Sequence, residues 1–206
     1  MFKYGIDQLT LHKVKEIADG NLKAIIDTQA KEKIISCRNK VETITKSNKV
    51  VYGINTGFGP LCDVQISPEE TNQLQTNLLI THAVGVGKNI DKQLSKIMMI
   101  CKVHALCQGF SGVRLELIER IIYFIENDLL PTVPKQGSVG ASGDLAPLSH
   151  LFLPLIGEGD FWINDEIKRR FRIDKRNTIY FSTYYNRTSK NGVSIRFSRY
   201  FWCNEH

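Results

Sequence analysis

Residues 137–150, GSVGASGDLAPLSH, combine residue types that could build an electrophile from the chain itself. Ala141, Ser142 and Gly143 are among the smallest residues, so the Gly143 amide nitrogen can approach the Ala141 carbonyl carbon without side-chain obstruction. Attack at that carbon with loss of water would close a five-membered ring. Loss of the Ser142 hydroxyl as a second water would leave an exocyclic methylidene, an electrophile that no standard side chain supplies. A stretch of this kind could therefore make its own prosthetic group.

A helix is predicted directly after this tripeptide. Asp144 is expected to be its N-cap, Pro147 suits its first turn, and apolar residues follow at helical spacing, namely Leu148, Leu151, Phe152 and Leu155. The positive end of such a helix would face the ring and favour the negative charge that develops when a nucleophile adds. The alternative interpretation is an ordinary glycine-rich loop that caps a helix.

The run QGSVGASGDLAPLSH, residues 136–150, resembles the prosthetic-group loop of the aromatic amino acid ammonia-lyases, most closely that of the members that act on histidine. In that family the Ala-Ser-Gly tripeptide cyclises to methylidene-imidazolone, which eliminates ammonia from an aromatic amino acid. The resemblance implies that Ala141, Ser142 and Gly143 form this group autocatalytically. It implies neither an external cofactor nor a metal.

A second loop carries a candidate base. Residues 50–61, VVYGINTGFGPL, break the helical periodicity with three glycines and Pro60. A tyrosine on such a loop can take a substrate proton if its pKa is lowered, although Tyr52 and Phe58 could instead pin the loop to the core. The segment is similar to the mobile lid of the same family. That similarity implies that Tyr52 removes the β-proton of the substrate while the closed loop excludes water.

A histidine stands at the end of the next predicted helix. Ser67, Pro68 and Glu70 form a helix start of the capping-box type, and the apolar face continues through Leu78 to His82. A histidine on such a face can be a structural core residue. The segment QTNLLITHAVGVG is, however, similar to part of the family's substrate pocket. The resemblance implies that His82 binds the ring of the substrate and favours imidazole over phenyl, while a phenol stays possible.

The rest of residues 1–160 predicts packing helices. Apolar residues recur at helical spacing within residues 11–18, 30–44, 94–105 and 117–125. The last segment is so broadly apolar that it should be central to a bundle. We therefore predict a mainly α fold. The resemblance implies that this is the N-terminal helical platform of the ammonia-lyase fold, with irregular active-site loops and without the long central helix bundle.

The composition changes after about residue 168. Residues 1–160 hold 17 basic and 17 acidic side chains, whereas residues 161–206 hold 10 and 4 and carry 11 of the 19 aromatic residues. Helical periodicity ends there, and the Asn-Gly-Thr-Gln motif that follows in the family is absent. We predict an N-terminal ammonia-lyase region over residues 1–167. Residues 168–206 are predicted to be a divergent basic, aromatic tail that is unstructured or arises from a shifted reading frame.

The resemblance implies an enzyme that eliminates ammonia from L-histidine to give urocanate, as in histidine degradation. Intact members are homotetramers more than twice as long as this chain, and several subunits assemble each active site. The 206-residue chain by itself is therefore expected to be inactive. One alternative is a tyrosine or phenylalanine ammonia-lyase or aminomutase of the same family. An alternative of another class is a non-catalytic truncation product that binds a partner or nucleic acid through its helices or tail.

Composition argues against several other classes. No apolar stretch has the length of a membrane span, and the first residues lack the apolar run of a signal peptide, so a cytoplasmic protein is expected. The excess of positive charge lies in the tail, which argues against nucleic acid as a partner of the main region. Five cysteines without a Cys-x-x-Cys pair predict reduced, mostly buried thiols. Cys101, His104 and Cys107 lack the spacing of a metal site.

Overall fold

The computed structural model describes residues 1–47, 50–51, 53–56, 66–163 and 165–169. Six α-helices and seven short strands lie within these residues, so the described chain is mainly helical, as the sequence predicts. Apart from Lys168 and Arg169, the predicted tail lies outside the described residues. The chain divides into two compact units, residues 1–71 with 96–127 and residues 72–95 with 128–206.

Helices dominate the first unit. They are α1 (Leu11–Ala18), α2 (Thr28–Thr45), most of α4 (Lys92–Leu106) and α5 (Leu115–Glu126), and a parallel pair of two-residue strands, β1 (Phe2–Lys3) and β2 (Ala24–Ile25), lies beside them. Side-chain caps explain two of the helix starts. Thr10 Oγ1 accepts a hydrogen bond from Lys13 N at 3.3 Å and caps α1. Asp27 Oδ1 accepts one from Ala30 N at 3.0 Å and caps α2.

The core of this unit lies between α2, α4 and α5, as the broadly apolar α5 predicts. Its most buried side chains include Ile34, Met99, Ile100, Ile118, Ile121 and Phe124. His104 helps to hold this unit together, because its Nδ1 accepts a hydrogen bond from Gly5 N at 3.2 Å. Burial lowers the pKa of His104, which favours the neutral ring that can accept this bond. His104 is thus a structural residue.

The second unit combines helices with two small antiparallel sheets. It contains most of α3 (Pro68–His82), then β3 (Val86–Asn89), β4 (Leu130–Pro131), β5 (Pro134–Gln136), α6 (Leu145–Phe152), β6 (Asp160–Ile163) and β7 (Glu166–Arg169). Strand β3 pairs with β5, and β6 lies between β4 and β7. The core side chains are Leu129, Leu130, Val133, Ala146, Leu151, Leu155 and Phe161.

Two details differ from the sequence-based expectation. The apolar period after Pro147 predicts one helix, whereas α6 ends at Phe152 and a 3₁₀ segment, Leu153–Ile156, follows. Pro154 explains the change, since it has no N–H to continue the α-helical ladder. The thiols are also less buried than expected, because Cys107 is buried but Cys37 is half-buried and Cys101 is exposed. Cys62 and Cys203 lie outside the described residues.

Among the residues that the structure describes, none of the helices has both the length and the apolar character that crossing a membrane requires.

Replacing Ile118 with alanine should lower the free energy of unfolding by about 2–5 kcal/mol, because the loss of a core side chain leaves a cavity. Ile118 is 0% exposed, whereas Leu11 on α1 is 91% exposed. The control Leu11→Ala should therefore change the free energy of unfolding by less than about 0.5 kcal/mol. Urea unfolding followed by circular dichroism measures both. Equal losses of unfolding free energy in Ile118→Ala and Leu11→Ala would contradict the central position of α5.

Candidate active site

Helix α3 carries the first candidate site residue. Its start is a capping box, as predicted: Ser67 Oγ accepts from Glu70 N at 3.2 Å, and Glu70 Oε2 accepts from Ser67 N at 3.2 Å. The helix ends at His82, where Val84 N donates to the His82 carbonyl at 2.9 Å and turns the chain out of the helix. His82 is therefore the last helical residue before a tight turn.

The His82 ring is held by its own helix. Its Nδ1 lies 2.8 Å from the Leu78 carbonyl oxygen. A carbonyl oxygen can only accept, so Nδ1 carries the proton in this bond. In the neutral ring, Nε2 is then the atom that can accept a hydrogen bond from a ligand. The half-buried side chain leaves part of the ring accessible.

The pairing of β3 with β5 brings the end of α3 next to the loop that is predicted to form the ring. Val86 lies opposite Gln136 in this antiparallel pair. Gln136 is the last residue before the loop 137–144, and Val86 lies four residues after His82. The structure thus places two of the predicted site elements in one unit and joins them through backbone hydrogen bonds.

The tripeptide that is predicted to form the ring lies at a tight turn. Residues Gly140–Ser142 form one turn of 3₁₀ helix, and Gly143 follows with φ +85°. Gly143 N donates to the Gly140 carbonyl at 3.4 Å. A β-carbon added at Gly140 or Gly143 would have no atom within 4 Å, so space above the turn is open. For Ser142, the structure describes the backbone alone.

Asp144 does not act as the sequence predicts. It lies at the N-cap position of α6, but its side chain makes no capping hydrogen bond to that helix. Its Oδ1 accepts instead from Val139 N at 3.0 Å, across the loop. The backbone of Asp144 has φ +57°, in the left-handed region, and this conformation explains why the carboxylate turns back into the loop. Asp144 therefore closes the loop on itself.

Tyr52, the predicted base, lies outside the described residues, and so does Phe58. The residues beside Tyr52 are described, and they are anchored by Asn55. This side chain is 2% exposed, and its Oδ1 accepts from Val51 N at 2.8 Å. Ile66 N donates to the Asn55 carbonyl at 3.0 Å, which fixes the far end of the same loop. The role of Tyr52 stays a prediction.

The structure shows one more residue beside the candidate site, which the sequence motifs did not single out. His150, on α6, accepts a hydrogen bond at Nε2 from Gly85 N at 3.0 Å. The backbones also approach closely here, since a β-carbon on Gly137 would lie 2.9 Å from the Gly85 Cα. The glycines at 85 and 137 are the signal in the sequence, because Gly85 lies three residues after His82 and Gly137 opens the loop that contains Ala141–Gly143.

A family model described as aromatic amino acid lyase matches residues 9–176. This match covers most of the chain, and the chain therefore belongs to the aromatic amino acid lyase family. The fold agrees, because the described residues resemble solved structures of that family.

Three relatives show the extent of this likeness. The chain is 41% identical over 172 residues to the histidine ammonia-lyase of Staphylococcus saprophyticus, covering 83% of this chain and 34% of that protein. The histidine ammonia-lyase structure from Trypanosoma cruzi has a TM-score of 0.75 at 30% identity, covering 82% of this chain and 33% of that one. The tyrosine aminomutase structure from Streptomyces globisporus has a TM-score of 0.75 at 28% identity, covering 82% and 32%. The chain thus spans about a third of the length of these relatives.

Replacing Gly137 with alanine should destabilise the close contact between the loop 137–144 and the turn after α3. Gly137 has φ +133°, and its added β-carbon would lie 2.9 Å from the Gly85 Cα. Strain of this kind costs about 1–3 kcal/mol, measurable as a lower free energy of unfolding in urea. Gly140→Ala is the matched control in the same loop, because its β-carbon would meet nothing within 4 Å. A stability loss for Gly140→Ala equal to that for Gly137→Ala would contradict the close approach.

Proposed function

We propose that this chain is the N-terminal part of an ammonia-lyase that converts L-histidine to urocanate. The observation that carries the proposal is the pairing of Val86 with Gln136, which holds the end of α3 beside the loop containing Ala141, Ser142 and Gly143. Identity of 41% to a histidine ammonia-lyase supports histidine as the substrate.

Ala141, Ser142 and Gly143 fit the methylidene-imidazolone group that the family forms from such a tripeptide. They are small, Ala141 and Ser142 lie on a 3₁₀ turn that Gly143 ends, and the space that added β-carbons at Gly140 and Gly143 would enter is open. When formed, the group supplies an electrophile for elimination of ammonia. The positive end of α6 comes directly after the tripeptide, which favours negative charge at that place.

His82 is proposed to orient the ring of the substrate. With its Nδ1 proton donated to the Leu78 carbonyl, neutral His82 presents Nε2 as an acceptor for the N–H of an imidazole. A phenyl ring has no such donor, so phenylalanine would leave this atom unsatisfied. The hydroxyl of a tyrosine could also donate to Nε2. Tyrosine is therefore the second candidate substrate, and the likeness to a tyrosine aminomutase supports it.

Tyr52 is proposed to accept the β-proton of the substrate. Asn55 anchors the described residues beside it, as its 2% exposure and its bond to Val51 N indicate. The lid role of this loop, which the family resemblance implies, belongs to the same proposal.

The chain alone is proposed to be inactive. Residues 135–141, which lead into the tripeptide and include Ala141, are exposed, whereas elimination chemistry benefits from a site that excludes water. The chain also spans 34% of the length of its S. saprophyticus relative. In the proposed enzyme, the remaining sequence and the other subunits of a homotetramer would complete the site.

A chimera tests the function. Residues 1–167 of this chain replace the matching N-terminal part of the S. saprophyticus histidine ammonia-lyase. We expect urocanate from L-histidine, followed by its absorbance, and a mass about 36 Da below that of the unmodified chain, corresponding to two lost waters, in the peptide that contains Ala141–Gly143. Ser142→Ala lacks the hydroxyl that leaves as the second water, so it should limit the mass loss to at most one water, about 18 Da, and should remove the activity.

Two outcomes would contradict the proposal. A folded, tetrameric chimera with an unmodified Ala141–Gly143 peptide would show that this loop does not form the group. Coumarate from L-tyrosine in preference to urocanate from L-histidine would assign the chain to the second candidate function.

In the same chimera, His82→Leu should raise KM for L-histidine at least tenfold, because the acceptor for the imidazole N–H is lost. The ratio of kcat/KM for L-phenylalanine to that for L-histidine should rise, since leucine matches a phenyl ring. His12→Leu is the control: its side chain is 80% exposed on α1, and its kinetics should match those of the parent chimera. Unchanged KM for His82→Leu would exclude His82 from the substrate pocket.

A further inference from the structure

A histidine side chain on α6 forms a hydrogen bond with the backbone of the turn after His82. Gly85 N lies 3.0 Å from His150 Nε2. A backbone N–H can only donate, so Nε2 is the acceptor and the His150 ring is neutral, with its proton on Nδ1. Protonation of Nε2 would remove this acceptor and place an N–H against another N–H.

The surroundings of this bond leave little room for another arrangement. A β-carbon on Gly85 would lie 3.1 Å from both His150 Nε2 and the Gln136 carbonyl oxygen. A β-carbon on Gly137 would lie 2.9 Å from the Gly85 Cα and 3.6 Å from the Ala146 β-carbon. The turn after α3, the start of the ring-forming loop and α6 therefore meet within van der Waals distance at His150.

We propose that His150 is a positioning residue: by accepting the Gly85 N–H, it fixes the turn 83–85 and so holds His82 in register with the loop that contains Ala141–Gly143. This inference rests on the proposed function, because it takes His82 as the substrate contact. His150 itself need not touch the substrate. It acts through the backbone of the turn.

The bond should weaken on acidification. Burial lowers the pKa of His150 below 6.5, which keeps the ring neutral at neutral pH. The unfolded chain binds the proton more readily than the folded one, so the contribution of His150 to stability is fully present above pH 6.5. It declines as the pH falls below 6.5. His150 also lines a cavity of about 520 Å³, in which Asp160 on β6 is the other titratable group among the described lining residues.

Amide hydrogen exchange of the 206-residue chain, followed by NMR at Gly85, tests the proposal directly. His150→Phe keeps a flat ring without an acceptor and should speed exchange at Gly85 at least tenfold. His150→Gln keeps an acceptor oxygen at a similar reach, and its exchange should stay within about threefold of the parent chain. Equal acceleration in the two variants, or none in His150→Phe, would overturn the proposal.

Two further measurements distinguish loss of the hydrogen bond to Gly85 from a general destabilisation of the fold. In the parent chain, exchange at Gly85, corrected for the intrinsic dependence on pH, should rise as the pH falls below 6.5. His150→Gln retains Asp160 and should show no such rise, and an equal rise in this variant would assign the effect to another group. His104→Phe removes a similar bond, from Gly5 N, in the other unit, and it should leave exchange at Gly85 unchanged.

The readout does not depend on catalysis. If the chimera makes no urocanate while Gly85 responds as expected, the proposed function fails and the positioning bond stands. If the chimera is active while Gly85 does not respond to His150→Phe, the positioning role fails and the proposed function stands.

Discussion

The antiparallel pairing of β3 with β5 is the constraint on which the candidate site depends. Neither strand is longer than four residues, yet the pair fixes where α3 ends relative to the loop 137–144. A helix end and a glycine-rich loop are each free to point in many directions. The backbone pairing of β3 with β5, in which Val86 lies opposite Gln136, removes most of that freedom. A fixed geometry of this kind is what orientation of a substrate in the proposed enzyme would require.

Helix positions could be predicted from the sequence because they depend on local signals. The capping box at Ser67 and Glu70 and the cap at Thr10 satisfy backbone groups within one turn, and both appear in the structure. The strands could not be predicted in the same way. Segments of two to four residues carry too little periodicity, and their pairing depends on partners distant in sequence, such as Leu130 with Trp162.

The candidate site was predictable to a similar, partial extent. The motif around Ala141–Gly143 and the helix end at His82 could both be located from the sequence, because residue types and spacing define them. The bonds that shape the site are not visible there. Asp144 is a favoured N-cap residue, but its left-handed backbone directs the carboxylate to Val139. His150 lies 65 residues from Gly85, so only the folded chain reveals that they meet.

Orientation and exclusion of water are separate requirements of the proposed elimination, and the pairing of β3 with β5 bears on the first alone. Around the loop, Val84 is 65% exposed, Val139 is 61% exposed and Leu145 is 49% exposed. Charge that develops in elimination is stabilised most where fixed dipoles act in a dry environment. In the proposed enzyme, these apolar side chains would have to be covered by sequence beyond the matched region, which accounts for most of the length of the relatives. The ring-forming loop and His82 would then supply geometry, and the rest of the protein would supply the low dielectric in which that geometry becomes effective.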